Sequence, residues 1–146
     1  MTSAAYVALD ADRCSPNACP VTTATLLFDG DCGLCVATAG WLAARAPAAS
    51  LRMLELQRVA EEPEVAAAVE GRDLAGALHL VGAAGEVRVG ADAVIGAARI
   101  APGWGIAARV YDHPIGHALW EPAYRLIAGN RRRIGRRLGI ADACRI

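Results

Sequence analysis

The chain has 146 residues and a formal net charge of +0, with 55% hydrophobic but only 5% aromatic residues. That length fits one domain with short extensions, and its core must be aliphatic, built of Ala, Val, Leu and Ile. Zero net charge excludes bulk electrostatic steering toward nucleic acid or anionic membranes; every basic residue is Arg, a compositional bias from which no function is read.

Residues 1–22 carry Ser3, Pro16, Asn17 and Pro20 with little periodicity and read as an irregular arm. The arm has no basic leader region and includes Asp10 and Asp12, so no secretory signal is expected. Ala24 to Phe28 is a short apolar run with the character of a buried strand. Asp29-Gly30-Asp31 is a turn, with Asp31 the expected N-cap of a helix from about Cys32 to Arg45, ending before Pro47. Leu51 to Leu56 alternates apolar and polar side chains and suits a second strand. Glu61-Glu62-Pro63-Glu64 opens another helix, with Pro near its first position, acids in its first turn and Gly71 after its end.

Ala77 to Val81 and Glu86 to Val89, joined by Gly82-Ala83-Ala84-Gly85, form a hairpin signal. Gly90 to Ile100 then reads as a helix, broken by Pro102-Gly103. Two more helices are expected beyond it, near Ile106 to Tyr111 and from about His117 to Leu138. Arg45, Arg99 and Arg109 interrupt the longer apolar stretches, so none reaches the roughly 18 apolar residues of a spanning helix. A cytoplasmic protein without a transmembrane segment is expected.

The helix between the first two strands makes them parallel, and the hairpin adds an antiparallel pair. The predicted fold is α/β: a mixed four-stranded sheet flanked by helices, an order that resembles the thioredoxin-like architecture. The predicted organisation is an arm over 1–22, a thioredoxin-like domain over 23–101 and a C-terminal helical extension over 102–146.

The Cys32-Gly33-Leu34-Cys35 stretch carries the chemistry. A strand that delivers two cysteines to a helix N-terminus places one thiol among free N–H groups and the positive end of the dipole, which favour the thiolate. The second cysteine lies one turn on and within disulfide reach. Position therefore predicts that Cys32 attacks and Cys35 resolves the mixed disulfide. Gly33 and Leu34 are expected to leave one face open to the partner sulfur. Asp29 or Asp31 would accept the Cys35 proton, Asp29 ranking ahead as the more buried strand end. No bound cofactor is required, since the sulfurs carry the electrons.

The segment Phe28-Asp29-Gly30-Asp31-Cys32-Gly33-Leu34-Cys35 resembles the Asp-x-Cys-x-x-Cys signature of the DCC family of predicted thiol–disulfide oxidoreductases. Two further blocks resemble the same family in order: Gly85 to Ala93, its hairpin-then-helix segment, and Tyr124 to Arg131, its C-terminal helix. Cys144 falls where members often carry a terminal cysteine, so the likeness spans roughly residues 24–144. The resemblance implies a thioredoxin-like fold and disulfide exchange with Cys32 and Cys35 as the redox pair, acting on a disulfide- or thiol-bearing protein or small molecule. Two departures from thioredoxins stand out. Asp73 to Val81 has no Pro at the place of their substrate-clamping proline, and Asp31 replaces their aromatic before the first cysteine. A carboxylate there opposes the pull of the helix dipole, less so if it is engaged in cap hydrogen bonds.

Other constellations compete with this reading. Cys14 and Cys19 in the arm could join Cys32 and Cys35 in a four-thiolate zinc site, making the protein a metal-binding module; they could also relay electrons or be idle. His113 and His117 have metal-like spacing, but Pro114 between them starts a helix, so a surface or packing role is expected. His79, inside a predicted strand, belongs to the core or an edge. Arg125, Arg131, Arg132, Arg133, Arg136 and Arg137 make a basic helix with Tyr124, Ile127, Ile134 and Leu138 near one stripe. Such a helix can serve a nucleic-acid or membrane-surface adaptor; the plainer expectation is that the stripe packs on the domain while the charges are solvated. No nucleic-acid partner is expected, and at most weak peripheral contact with a membrane.

Overall fold

The computed structural model describes residues 23–47 and 49–140. Strand β1 (Ala24–Phe28) leads into helix α1 (Gly33–Ala43), then β2 (Leu51–Glu55), a 3-10 segment (Leu56–Glu61) and α2 (Pro63–Ala68). The hairpin of β3 (His79–Val81) and β4 (Val87–Val89) follows, and α3 (Ala91–Ile100), α4 (Gly105–Asp112) and α5 (Pro114–Arg137) complete the chain. The sheet order is β2-β1-β3-β4. β1 runs parallel to β2, with Leu27 opposite Leu54, and antiparallel to β3, with Leu26 opposite Leu80. β3 and β4 are antiparallel. This is the expected mixed, thioredoxin-like sheet with a helical C-terminal segment.

β1 is apolar apart from Thr25, whose hydroxyl oxygen accepts from Arg52 Nε at 3.4 Å, because both of its faces are covered. Leu26 and Phe28 pack with Ala39 and Leu42 of α1, Leu80, and Ala93, Ala97 and Ala98 of α3. Leu27 points the other way, into Leu54, Val59, Val65 and Val81. The period-2 alternation of strand side chains thus builds one core on each side of a single strand. His79 sits in this interior at 1% exposure, its Nδ1–H donating to the Ala77 carbonyl oxygen at 3.0 Å. Burial lowers its pKa, the neighbouring carbonyl opposing that shift. It is a satisfied core histidine.

α3 starts at Gly90, whose φ of +67° is a left-handed geometry that glycine adopts without strain. A third cluster ties α4 to α3 through Ala91, Ile95, Ala108 and Tyr111, with Tyr124 of α5 packed against it. The Tyr111 hydroxyl donates to Asp92, and Arg99 pairs with Asp112. α5 starts three residues earlier than His117 and runs on through Pro122, which has no N–H to donate to the carbonyl four residues back. The helices α4 and α5 cross so closely at Gly116 that a β-carbon there would lie 1.8 Å from the Val110 carbonyl oxygen. No helix of the described residues is long and apolar enough to cross a membrane.

Candidate functional site

Where β1 ends, the chain turns sharply so that α1 can begin beside the sheet. The Cys32 N–H donates to the Asp29 carbonyl oxygen at 3.2 Å, and the Cys32 carbonyl oxygen accepts from Val36 N at 3.0 Å. Cys32 itself is therefore the N-cap residue, with an extended backbone (φ −100°, ψ 110°) and no side-chain cap. The expectation that Asp31 caps the helix is corrected: it sits one residue too early. Its Oδ2 instead accepts from Gln57 Nε2 at 3.1 Å.

Gln57, on the 3-10 segment after β2, organises the whole turn. Its Nε2 also donates to Asp29 Oδ1 at 3.2 Å, and its Oε1 accepts from Gly30 N at 3.3 Å. Asp29 Oδ1 further accepts from Asp31 N at 3.0 Å. Asp29 Oδ2 accepts from Arg131 Nη2 of α5 at 3.3 Å; their side chains are 15% and 20% exposed. The same Nη2 donates to the Ala75 carbonyl oxygen at 3.0 Å, in the segment leading to β3. Neither Gln57 nor Arg131 is singled out for the site by the sequence. Their partners lie 26 to 102 residues away, so no local pattern points to them, although the family-like block Tyr124–Arg131 contains the second.

The two thiols differ. Cys32 is 0% exposed, whereas Cys35 is half-buried, and both are free. The open face expected around Cys32 is absent, because the end of α5 backs onto the first turn of α1. A β-carbon at Gly135 would lie 3.8 Å from Leu34 Cβ, and Gly33 is buried. Cys35 faces an apolar cavity of about 210 Å³ between α1, α3 and α5, lined by Leu34, Thr38, Val94, Ile95, Trp120, Tyr124, Ile127 and Ala128, with Asp29 and Arg131 at one side. Tyr124 fixes this wall: its hydroxyl oxygen accepts from Leu78 N at 2.8 Å, and burial raises its pKa while that bond opposes the rise.

The Cys35 thiol is pushed up to about 12, first by burial, then by its hydrogen bond to Cys32 and the like charge of that sulfur. Arg131 lowers it and Asp29 raises it. Across the neutral range Cys35 thus holds its proton and offers it to Cys32.

The other candidates lie elsewhere. His113 caps α5, its Nδ1 accepting from Ile115 N at 3.4 Å. His117 tilts against Tyr111 with ring centroids 5.2 Å apart and lies 3.9 Å from Asp92. Among the described residues, no group of three or more His, Cys, Asp or Glu is placed to hold a metal. Cys14, Cys19 and Cys144 fall outside the described residues. The apolar stripe of α5 is only partly covered: Tyr124 and Ile134 are half-buried, Ile127 and Leu138 exposed.

Comparison with known proteins agrees with this geometry. No curated protein and no solved structure matches the chain. A family model described as DCC1-like thiol-disulfide oxidoreductase matches residues 26–137, the stretch from β1 to the end of α5. The chain belongs to the DCC1-like thiol-disulfide oxidoreductase family.

Proposed function

We propose that the protein is an enzyme that exchanges thiols and disulfides through Cys32 and Cys35. The observation that carries this reading is the placement of the pair: Cys32 buried at the N-cap of α1, and Cys35 one turn on beside the apolar cavity. Cys32 thus stands at the positive end of the α1 dipole, the position in a helix that suits a nucleophilic sulfur.

In the reductive direction Cys32 attacks one sulfur of a substrate disulfide, and the other half leaves as a thiol. Cys35 then loses its proton and attacks the Cys32 sulfur of the mixed disulfide, releasing the second thiol. Two electrons pass from the two protein sulfurs to the substrate, and the two protons of the dithiol end on the two product thiols. Asp29, 15% exposed, counts among the charges acting on Cys35 and is our first choice to take its proton, with Asp31 behind it. Since Cys32 is fully covered, attack requires the first turn of α1 to open toward the cavity, whose wall already contains Leu34 and Cys35.

The test is substitution with trapping. Cys32→Ser should lower turnover of a generic disulfide to background, a loss above about a hundredfold. Cys35→Ser should accumulate a mixed disulfide on Cys32, seen by intact-mass spectrometry. Trapping by Cys32→Ser but not by Cys35→Ser would invert the roles; full activity in both variants would end the proposal.

A further inference from the structure

The cavity beside Cys35 does not stand alone. It shares Ala75, Ala77, Tyr124, Ala128 and Arg131 with a wider groove of about 810 Å³ along the outer side of α5. The two spaces differ in chemistry. The inner one is apolar, whereas the groove is lined by Arg125, Arg131, Arg132, Arg133 and Arg136. Glu121 is the acidic residue of that lining, and it is engaged by Arg125 at 3.0 Å. Arg132, Arg133 and Arg136 are exposed and make no ion pair with a carboxylate among the described residues.

In a chain whose net charge is +0, this concentration of cations is local and adjoins the cavity that Cys35 lines. A concave wall of one charge raises the local concentration of counter-ions and their rate of capture. The groove is of the size that holds a small molecule, and the inner cavity is large enough for one arm of it, since an apolar cavity of about 150 Å³ suffices for a benzene ring.

We propose that the substrate taken at Cys32 and Cys35 is a small acidic disulfide. Its anionic groups lie along Arg132, Arg133 and Arg136, and its sulfur-bearing arm enters the apolar cavity. This rests on the exchange reading above and names the substrate class for it. The step is the one already written: one substrate disulfide becomes two thiols while Cys32 and Cys35 become a disulfide, with no further co-reactant.

Three disulfides of nearly equal size separate charge from shape: dithiodipropionate (anionic), hydroxyethyl disulfide (neutral) and cystamine (cationic). The reduced full-length protein is mixed with each in a single turnover, and each rate is divided by that disulfide's rate with a small neutral dithiol. Dithiodipropionate should be fastest and cystamine slowest, at least about tenfold apart at low salt. The spread should shrink as added salt shortens the screening length to about 10 Å at 0.1 M and below. Replacing Arg132, Arg133 and Arg136 together by Gln should bring dithiodipropionate down to the level of hydroxyethyl disulfide. Replacing Arg58, Arg72 and Arg109, exposed and outside the groove, removes the same charge and should leave the order intact. Equal rates for all three disulfides, or an order that survives loss of the three groove arginines, would overturn the charge preference alone. Failure to turn over any of the three would overturn the exchange reading and this proposal together.

Discussion

The sheet with α1 to α3 and the α4–α5 pair solve different problems. Around the sheet, Leu26 and Leu27 are wholly buried on opposite faces of one strand, and helices cover both sides. α4 and α5 instead leave Ile106 77% and Leu126 69% exposed. They meet the rest of the chain through one small cluster, Ala108, Tyr111 and Tyr124 on Ala91 and Ile95, and a few polar ties: Tyr111 to Asp92, Asp112 to Arg99, Tyr124 to Leu78, and Arg131 to Asp29 and Ala75. The thiols ride on the well-packed part, while the wall that covers Cys32 and lines the cavity rides on the thinly held part. The two cysteines sit on the well-packed frame and the wall beside them on a more lightly fastened helix, and elements with few buried apolar contacts are the ones that open at low free-energy cost.

The sharpest way to break this contrast is Gly116→Val. The added carbons would collide with the Val110 carbonyl and cost about 3 kcal/mol or more. If the two regions are separately held, hydrogen exchange will speed up in α4 and α5 while amides of β1 and β3 stay protected. Equal loss of protection in both would make the chain one cooperative unit.

Arg131→Met is the milder version, aimed at the fastening itself. It removes a guanidinium that bonds a carboxylate and a backbone carbonyl, both sheltered, at a cost of about 1–3 kcal/mol in chemical denaturation. It also removes the one cation that lowers the Cys35 pKa, so that thiol should titrate still higher. A variant with wild-type stability would show that α5 is held by its apolar stripe and not by this pair.

The same division explains what was legible. The strands, the hairpin and α1 to α3 follow from local patterns, because alternation, Gly82–Gly85 and Pro63 act on their immediate neighbours. Cys32 and Cys35 stood out because their meaning lies in their spacing. Asp31 has the residue type of a cap, but the Asp29 carbonyl takes the Cys32 N–H and the cap position falls at Cys32. A turn with two aspartates offers both outcomes, and tertiary contacts choose. Gln57 and Arg131 reach the site only after the chain has folded back on itself. The burial of Cys32 depends on where α5 comes to rest, which no property of the cysteine motif encodes.

The smallest effect tests the pair directly. Cys35 stays protonated up to about 12, and after burial the largest causes are its bond to Cys32 and the charge on that sulfur. The charge vanishes in Cys32→Ser, whose hydroxyl retains only a neutral acceptor, so the Cys35 pKa should fall toward the ordinary thiol value of 9.0. It should remain above that value, because the desolvation imposed by α3 and α5 is untouched. The rate of alkylation by iodoacetamide, followed with pH by intact mass in a background lacking Cys14, Cys19 and Cys144, reads this one thiol. Adding Arg131→Met to Cys32→Ser should move the midpoint up again, since the lost cation belonged to α5 and not to the frame. An unchanged midpoint near 12 in Cys32→Ser would mean that burial alone holds the proton, and the cooperation between the two sulfurs would have to be given up.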